Sequence, residues 1–200
     1  GGKLFYDISL YTMQIRNLLV ARRTAEDAFV GINAGKTSHT GAEMALRYQL
    51  LNQGGQQLQL WGNYTWAHYR FQEFVDNDQD YSGNELTGTP EHLLSAGLDF
   101  TSSTGLYGNV NYQFTSEIPI TDANSLYSEA YQLVNLKAGY RRAFGKLQLD
   151  VFGGLQNVFD EKYAASVLVN ATGFGGRAPR YYYPGLPRNW FSGVQASFTF

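Results

Sequence analysis

Two hundred residues with a formal net charge of −2, no cysteine and 16% charged side chains suffice for one domain and argue against several functions at once. A near-neutral chain lacks the basic footprint of a nucleic-acid binder, and without cysteine there is neither a disulfide framework nor a thiolate site. No run of 18 apolar residues occurs, which excludes a helical membrane span, and 22 glycines with 16% aromatic residues fit a helical soluble domain poorly.

Eight segments alternate with period two, the mark of strands with one apolar and one polar face. The first, about 3–15, sets Leu4, Tyr6, Ile8 and Leu10 against Asp7 and Ser9. The second, 41–51, sets Met44, Leu46, Tyr48 and Leu50 against Glu43, Ala45, Arg47 and Gln49. The third, 56–71, sets Leu58, Leu60, Tyr64 and Trp66 against Gln57, Gln59, Asn63 and Thr65, with Trp61 interrupting the polar face. The fourth (91–101), fifth (105–116), sixth (130–143) and seventh (147–156) repeat the pattern. The last, 190–200, carries Trp190, Val194, Ala196, Phe198 and Phe200 opposite Gln195, Ser197 and Thr199, with Phe191 and Gly193 among the polar positions.

The connections alternate in length. Short turns at Asn52–Gly55, Thr101–Gly105 and Ala143–Lys146 separate long polar stretches at 16–40, 72–90, 117–129 and 157–189. Strands of about ten residues, short turns on one rim and long loops on the other predict an all-β fold, a transmembrane antiparallel meander β-barrel. Hydrocarbon leaves no unpaired backbone group tolerable, so such strands pair with neighbours all the way round. Tyr48, Trp66, Tyr131 and Trp190 are expected in the aromatic girdles. Glu43, Arg47, Gln57, Gln59, Asn109, Asn111, Lys137 and Asp150 are expected to point inward. A soluble β-sandwich or soluble barrel also explains alternation, but less well a polar face so poor in Lys and Glu. Counting strands down and up places Phe200 on the short-turn rim, the periplasmic side of an outer-membrane barrel.

Four stretches together resemble the C-terminal barrel portion of a TonB-dependent outer-membrane receptor of the ferric-siderophore type. Asn33-Ala34-Gly35 leading to Gly41-Ala42-Glu43 is similar to the family's passage into a barrel strand, and Ser82-Gly83-Asn84 through Gly88-Thr89-Pro90 to a returning loop. Gly154-Leu155-Gln156-Asn157-Val158-Phe159-Asp160-Glu161-Lys162-Tyr163 resembles the Asn-Leu-Phe-Asp signature. Pro184-Gly185-Leu186-Pro187-Arg188-Asn189-Trp190, running on to Phe200, resembles the closing segment read by the outer-membrane assembly machinery.

The resemblance implies that residues 1–200 are the last eight strands of a barrel of about twenty-two, with no plug domain and no TonB box among them. It implies an active importer of ferric siderophores in the outer membrane of a Gram-negative cell. The TonB complex would energise it through the absent N-terminal region, and lipid and lipopolysaccharide would surround it. The inward positions would then face the plug. Gly1-Gly2-Lys3 running straight into Leu4-Phe5-Tyr6 reads as a start inside a longer sequence. The rival readings are a self-contained eight-stranded barrel with an adhesin-like or structural role, and import of haem, cobalamin or a copper complex.

No enzyme is expected: there is no Gly-x-Ser-x-Gly elbow and no Ser–His pair to propose. His39, His68 and His92 lack metal-ligand spacing. Asp76-Asn77-Asp78-Gln79-Asp80 opens like a calcium loop but has neither the glycine at the sixth position nor the closing glutamate. No cofactor or metal is therefore expected. The candidate ligand-binding residues are Arg177, Arg180, Tyr181, Tyr182, Tyr183 and Arg188, because rigid guanidinium forks beside tyrosines suit an anionic, planar ligand. The competing reading pairs Arg180 and Arg188 with lumenal carboxylates such as Asp150 or Glu43 and puts the tyrosines in the outer belt. Arg22-Arg23 with Glu26-Asp27 reads as an exposed mixed-charge segment touching ligand or lipopolysaccharide.

Overall fold

The computed structural model describes residues 3–23, 28–76, 78–173 and 175–200. Their framework is one eight-stranded sheet: β1 (Leu4–Arg16), β2 (Lys36–Gln53), β3 (Gln56–Glu73), β4 (His92–Ser102), β5 (Leu106–Thr115), β6 (Tyr131–Phe144), β7 (Leu147–Gln156) and β8 (Asn189–Phe198). Each strand pairs antiparallel with its neighbours in sequence, which makes a pure meander. No helix occurs among the described residues. The β2–β3 turn is closed by Gly54 and Gly55 at φ 61° and 75°, the doubly positive φ that a two-residue hairpin demands.

The eight predicted strands are all present. The largest difference is β2, which begins at Lys36 and not at residue 41. Its first residues pair with Arg16–Thr12 on one side and with Glu73–His68 on the other. In that stretch the buried positions are held by Thr37 and His39, so no apolar alternation marks it in the sequence. The long connections also carry short ladders of their own, at 19–23/29–33, 75–76/79–80, 118–119/127–128 and 164–167/182–184.

The ladder registers sort side chains into rows across the wall. One row on one face reads Leu60, Leu98, Val110, Leu136, Leu155, Trp190. One residue away, on the other face, the row reads Gln59, Asp99, Asn109, Lys137, Gly154, Phe191. The apolar rows are open to the surroundings: Leu10 is 79% exposed, Val194 72% and Trp190 78%. A compact globule of this mass exposes about 9,400 Å², whereas this chain exposes 12974 Å². The sheet is a single layer, with no second layer of protein over its apolar face among the described residues.

The inward positions expected from sequence all fall on the polar face. Tyr48, Trp66 and Trp190 lie on the apolar face, Trp190 at the start of β8 and the other two within their strands. Tyr131 does not: its register places it in line with Thr115 and Leu93 on the polar face, where its ring packs on Tyr163 at 4.9 Å.

Aromatic residues on the polar face are not defects. Tyr11, Trp61, Tyr107, Phe152 and Phe191 stand directly opposite Gly41, Gly97, Gly139, Gly193 and Gly154. Each ring lies over the neighbouring strand where a Cβ would otherwise be; at Gly97 that atom would sit 2.6 Å from Trp61 Cζ2. These pairs bury ring area on an otherwise hydrophilic face and help pin register.

True interior packing occurs at the long-loop rim. Ala34, Phe71 and Phe74 are essentially inaccessible, with Leu18, Ile32, Tyr81 and Leu86 packed around them. The Phe71 and Phe74 rings are 4.7 Å apart. This cluster ties the β1–β2 and β3–β4 connections together above the wall.

Gly139→Val places side-chain atoms where the Tyr107 ring lies, an overpacking that costs about 1–3 kcal/mol. We expect a lower temperature for loss of the compact, heat-modifiable form on gels. Gly62→Ala, at a strand glycine where an added Cβ would meet nothing closer than 3.8 Å, should shift that temperature less. Equal shifts would show that the ring–glycine contact is not what matters.

Candidate functional site

The longest connection, 157–188, is closed at its base by two side chains. Asn157 is buried and left-handed (φ 50°), a conformation asparagine tolerates. Its backbone N–H donates to Asn135 Oδ1 (3.0 Å), its amide donates to the carbonyls of Glu161 (2.8 Å) and Leu186 (3.1 Å), and its Oδ1 accepts from Glu161 N–H (2.8 Å). Asp160 Oδ1 accepts from Arg188 N–H at 2.7 Å. The Asn-Val-Phe-Asp stretch noted in sequence is thus the fastener that joins the two ends of this loop.

The six candidate binding residues divide. Arg188 belongs to the base, its guanidinium reaching Val158 O at 3.5 Å. Tyr182 and Tyr183 are in the short strand paired with Ala164–Val167. The Tyr181 ring meets Tyr182 edge-on at 6.2 Å, and Tyr182 Oη donates to Tyr127 O at 3.4 Å. Tyr183 is exposed, as are Arg177 and Arg180, and neither arginine is paired with a carboxylate among the described residues. Beside this arm lies a recess of about 500 Å³ lined by Tyr127, Glu129, Lys162, Tyr163 and Tyr182. Of these only Tyr182 is among the candidate binding residues; Lys162 and Tyr163 belong to the signature stretch of the same loop, and Tyr127 and Glu129 come from another connection, with nothing local to mark their meeting.

The competing placement of Arg180 and Arg188 against Asp150 is not what the structure has. Asp150 accepts from Arg141 Nε (3.0 Å) and Nη2 (2.8 Å) and from Tyr107 Oη (2.8 Å). Lys137 Nζ stands 4.5 Å from the Phe152 ring centroid, a cation–π distance. This cluster sits on the polar face near the short-turn rim and leaves a net positive charge there. The register Arg141↔Asp150 brings the pair together.

The histidines are dispersed. His39 bonds Thr37 Oγ1 (2.9 Å), His92 bonds Tyr64 Oη (2.8 Å), and His68 bonds Glu91 Oε1 (2.9 Å). Among the described residues no three His, Asp or Glu side chains gather as a metal site. In the acidic loop, hydrogen bonds from Ser82 hold the Asp80 carboxyl below its ordinary range; Asn77 lies outside the described residues. So do Glu26, Asp27 and the side chains of Arg22 and Arg23.

Residues 1–158 match the family described as TonB dependent receptor-like, beta-barrel. The chain belongs to that family. Its wall is therefore outer-membrane barrel. Solved structures share the fold. The ferric-catecholate import receptor Fiu of E. coli K12 in its closed form has TM-score 0.66 and 21% identity, over 99% of this chain and 25% of that one. BauA, the ferric preacinetobactin receptor of Acinetobacter baumannii, has TM-score 0.74 and 14% identity, over 98% and 28%. The copper transporter OprC has TM-score 0.68 and 17% identity, over 100% and 29%. The chain thus spans between a quarter and three tenths of these three proteins.

Glu91, in the loop ahead of β4, is held below the ordinary carboxylate pKa first by the hydrogen bond with His68 and also by that from Trp66 Nε1 (3.2 Å). A depressed folded-state pKa contributes stability above the unfolded value, and that contribution is lost as pH falls through the folded value. The Trp66 indole N–H resonance should therefore titrate with a midpoint below 4.5, and Glu91→Gln should abolish that step. A midpoint above 4.5 contradicts the assignment.

Proposed function

We propose that this chain is part of the wall of an active importer of ferric siderophores, energised by the TonB complex, with no catalytic step of its own. The observation that carries the reading is the arm of the 157–188 loop. Arg177 and Arg180 are exposed and unpaired with any described carboxylate, next to the tyrosines 181–183. Ferric siderophore complexes present anionic oxygens on rigid, often aromatic frames. A guanidinium offers a fixed donor fork to such oxygens, and tyrosine offers a stacking face and a hydroxyl. Iron is cargo here, enclosed by its chelator, so no protein ligand to the metal is required. Fiu and BauA, both named as receptors for ferric complexes, share the fold and make this cargo the leading choice over copper.

In this reading the long loops face the exterior, the short turns and Phe200 face the periplasm, and lipopolysaccharide abuts the upper girdle. The plug domain and the TonB contact belong to sequence outside these 200 residues. The Lys137–Arg141–Asp150 patch would face the plug.

The test is iron uptake and ferric-siderophore binding by the full-length receptor carrying Arg177→Ala and Arg180→Ala together. Losing charge-assisted hydrogen bonds should weaken binding by about tenfold or more, with the amount of assembled receptor unchanged. Unchanged affinity for every ferric complex that the parent binds would remove the arm from the site. Binding of haem or a copper complex by the parent, with no ferric siderophore bound, would replace the cargo.

A further inference from the structure

Three of the long connections meet at one buried carboxylate. Asp122, in the β5–β6 connection, accepts from Thr87 Oγ1 at 2.5 Å and from Asn170 Nδ2 at 2.9 Å. Its backbone N–H donates to Asn170 Oδ1 (3.0 Å), and its carbonyl accepts from Asn84 Nδ2 (2.8 Å). Asn84 and Thr87 belong to the β3–β4 connection, and Asn170 to the β7–β8 connection.

Two residues away Asn124 repeats the device. Its Oδ1 accepts from Glu85 N–H (2.6 Å) while its amide donates to Glu85 O (3.1 Å), so one side chain pairs with a backbone as a strand would. Main-chain bonds reinforce the joint: Gly88 N–H to Pro119 O and Asn170 N–H to Ile120 O, both 2.8 Å. Asn124 and Asn170 are both left-handed, at φ 49°. Asp122 is buried, and a hydroxyl and an amide, not a cation, satisfy its carboxylate.

We propose that the connections 74–91, 116–130 and 157–188 form a single mechanical unit keyed by Asp122, so that disturbing one loosens all three. A buried carboxylate loses little when all its donors stay and much when one leaves, because the group is then short of partners in a low-dielectric setting. That makes the joint cooperative instead of a sum of separate tethers. The inference stands without any ligand assignment. If the import reading above holds, contact at the 180–183 arm is conveyed to loops the ligand never touches, since Asn170 lies in the same connection.

The deciding variant is Asn170→Ala in the full-length receptor, followed by amide hydrogen exchange without ligand. Asn170 makes no hydrogen bond to residues 82–88, yet exchange there should quicken by about tenfold or more, the order expected for losing one hydrogen bond to a charged group. Thr87→Val should do the same, in the reverse direction, to residues 168–171, as linkage requires. Asp122→Ala should loosen all three segments, and Ser125→Ala, whose hydroxyl bonds only Thr121 within its own loop, should leave the other two unchanged. Asn170→Ala effects confined to 157–188 and 116–130 overturn the proposal, and so do equal effects from Ser125→Ala. Because Asn170→Ala and Thr87→Val each remove only part of the joint, they keep the test alive if Asp122→Ala fails to assemble.

Discussion

Everything in this chain follows from what hydrocarbon does to a peptide group. A backbone N–H or C=O exposed to lipid has no water to bond, so a strand crossing the bilayer must be paired along both edges. The meander is the cheapest topology that satisfies this, since each strand finds its partner one short turn or one loop away. Once pairing is obligatory, side-chain choice is free on each face separately. One face is written for lipid and the other for an aqueous or protein-filled interior.

That division explains why the wall was so legible in the sequence. Alternation of Leu, Val and Phe with Asn, Gln and Thr is enforced wherever a strand has two different solvents, and all eight strands showed it. Boundaries blurred where the apolar pattern stopped, as at Lys36–Thr40, where the buried positions of β2 are held by Thr37 and His39. Trp61 and Phe191 looked like interruptions because their explanation lies on other strands, at Gly97 and Gly154. A linear reading contains no register, so it cannot see a ring lying over a neighbour's missing side chain.

The candidate loop was legible in composition and illegible in arrangement. Arginines and tyrosines in one loop could be noticed, but not that Arg188 fastens the base while Arg180 rides on the arm. Asp150 found Arg141, nine residues away across a hairpin, and not the arginines of the last loop. Asn84, Asp122, Asn124 and Asn170 look in sequence like ordinary turn residues, which is also what they are. Their convergence depends on three loops folding toward one another, and no local pattern records that.

The rim cluster around Phe71 and Phe74 shares β3 with Leu58 and Leu60, yet the two ends of that strand obey opposite rules. An 18-residue strand runs roughly 60 Å, while about 9–11 residues suffice to cross a membrane. Below, leucines point out because the surroundings are oil; above, phenylalanines turn in because the surroundings are water. The molecule therefore has two thermometers. The rim answers to urea and temperature as a small water-soluble protein does, with a positive heat capacity of unfolding, whereas the wall answers to the lipid or detergent that wets it. A single melting temperature would average two transitions that need not coincide.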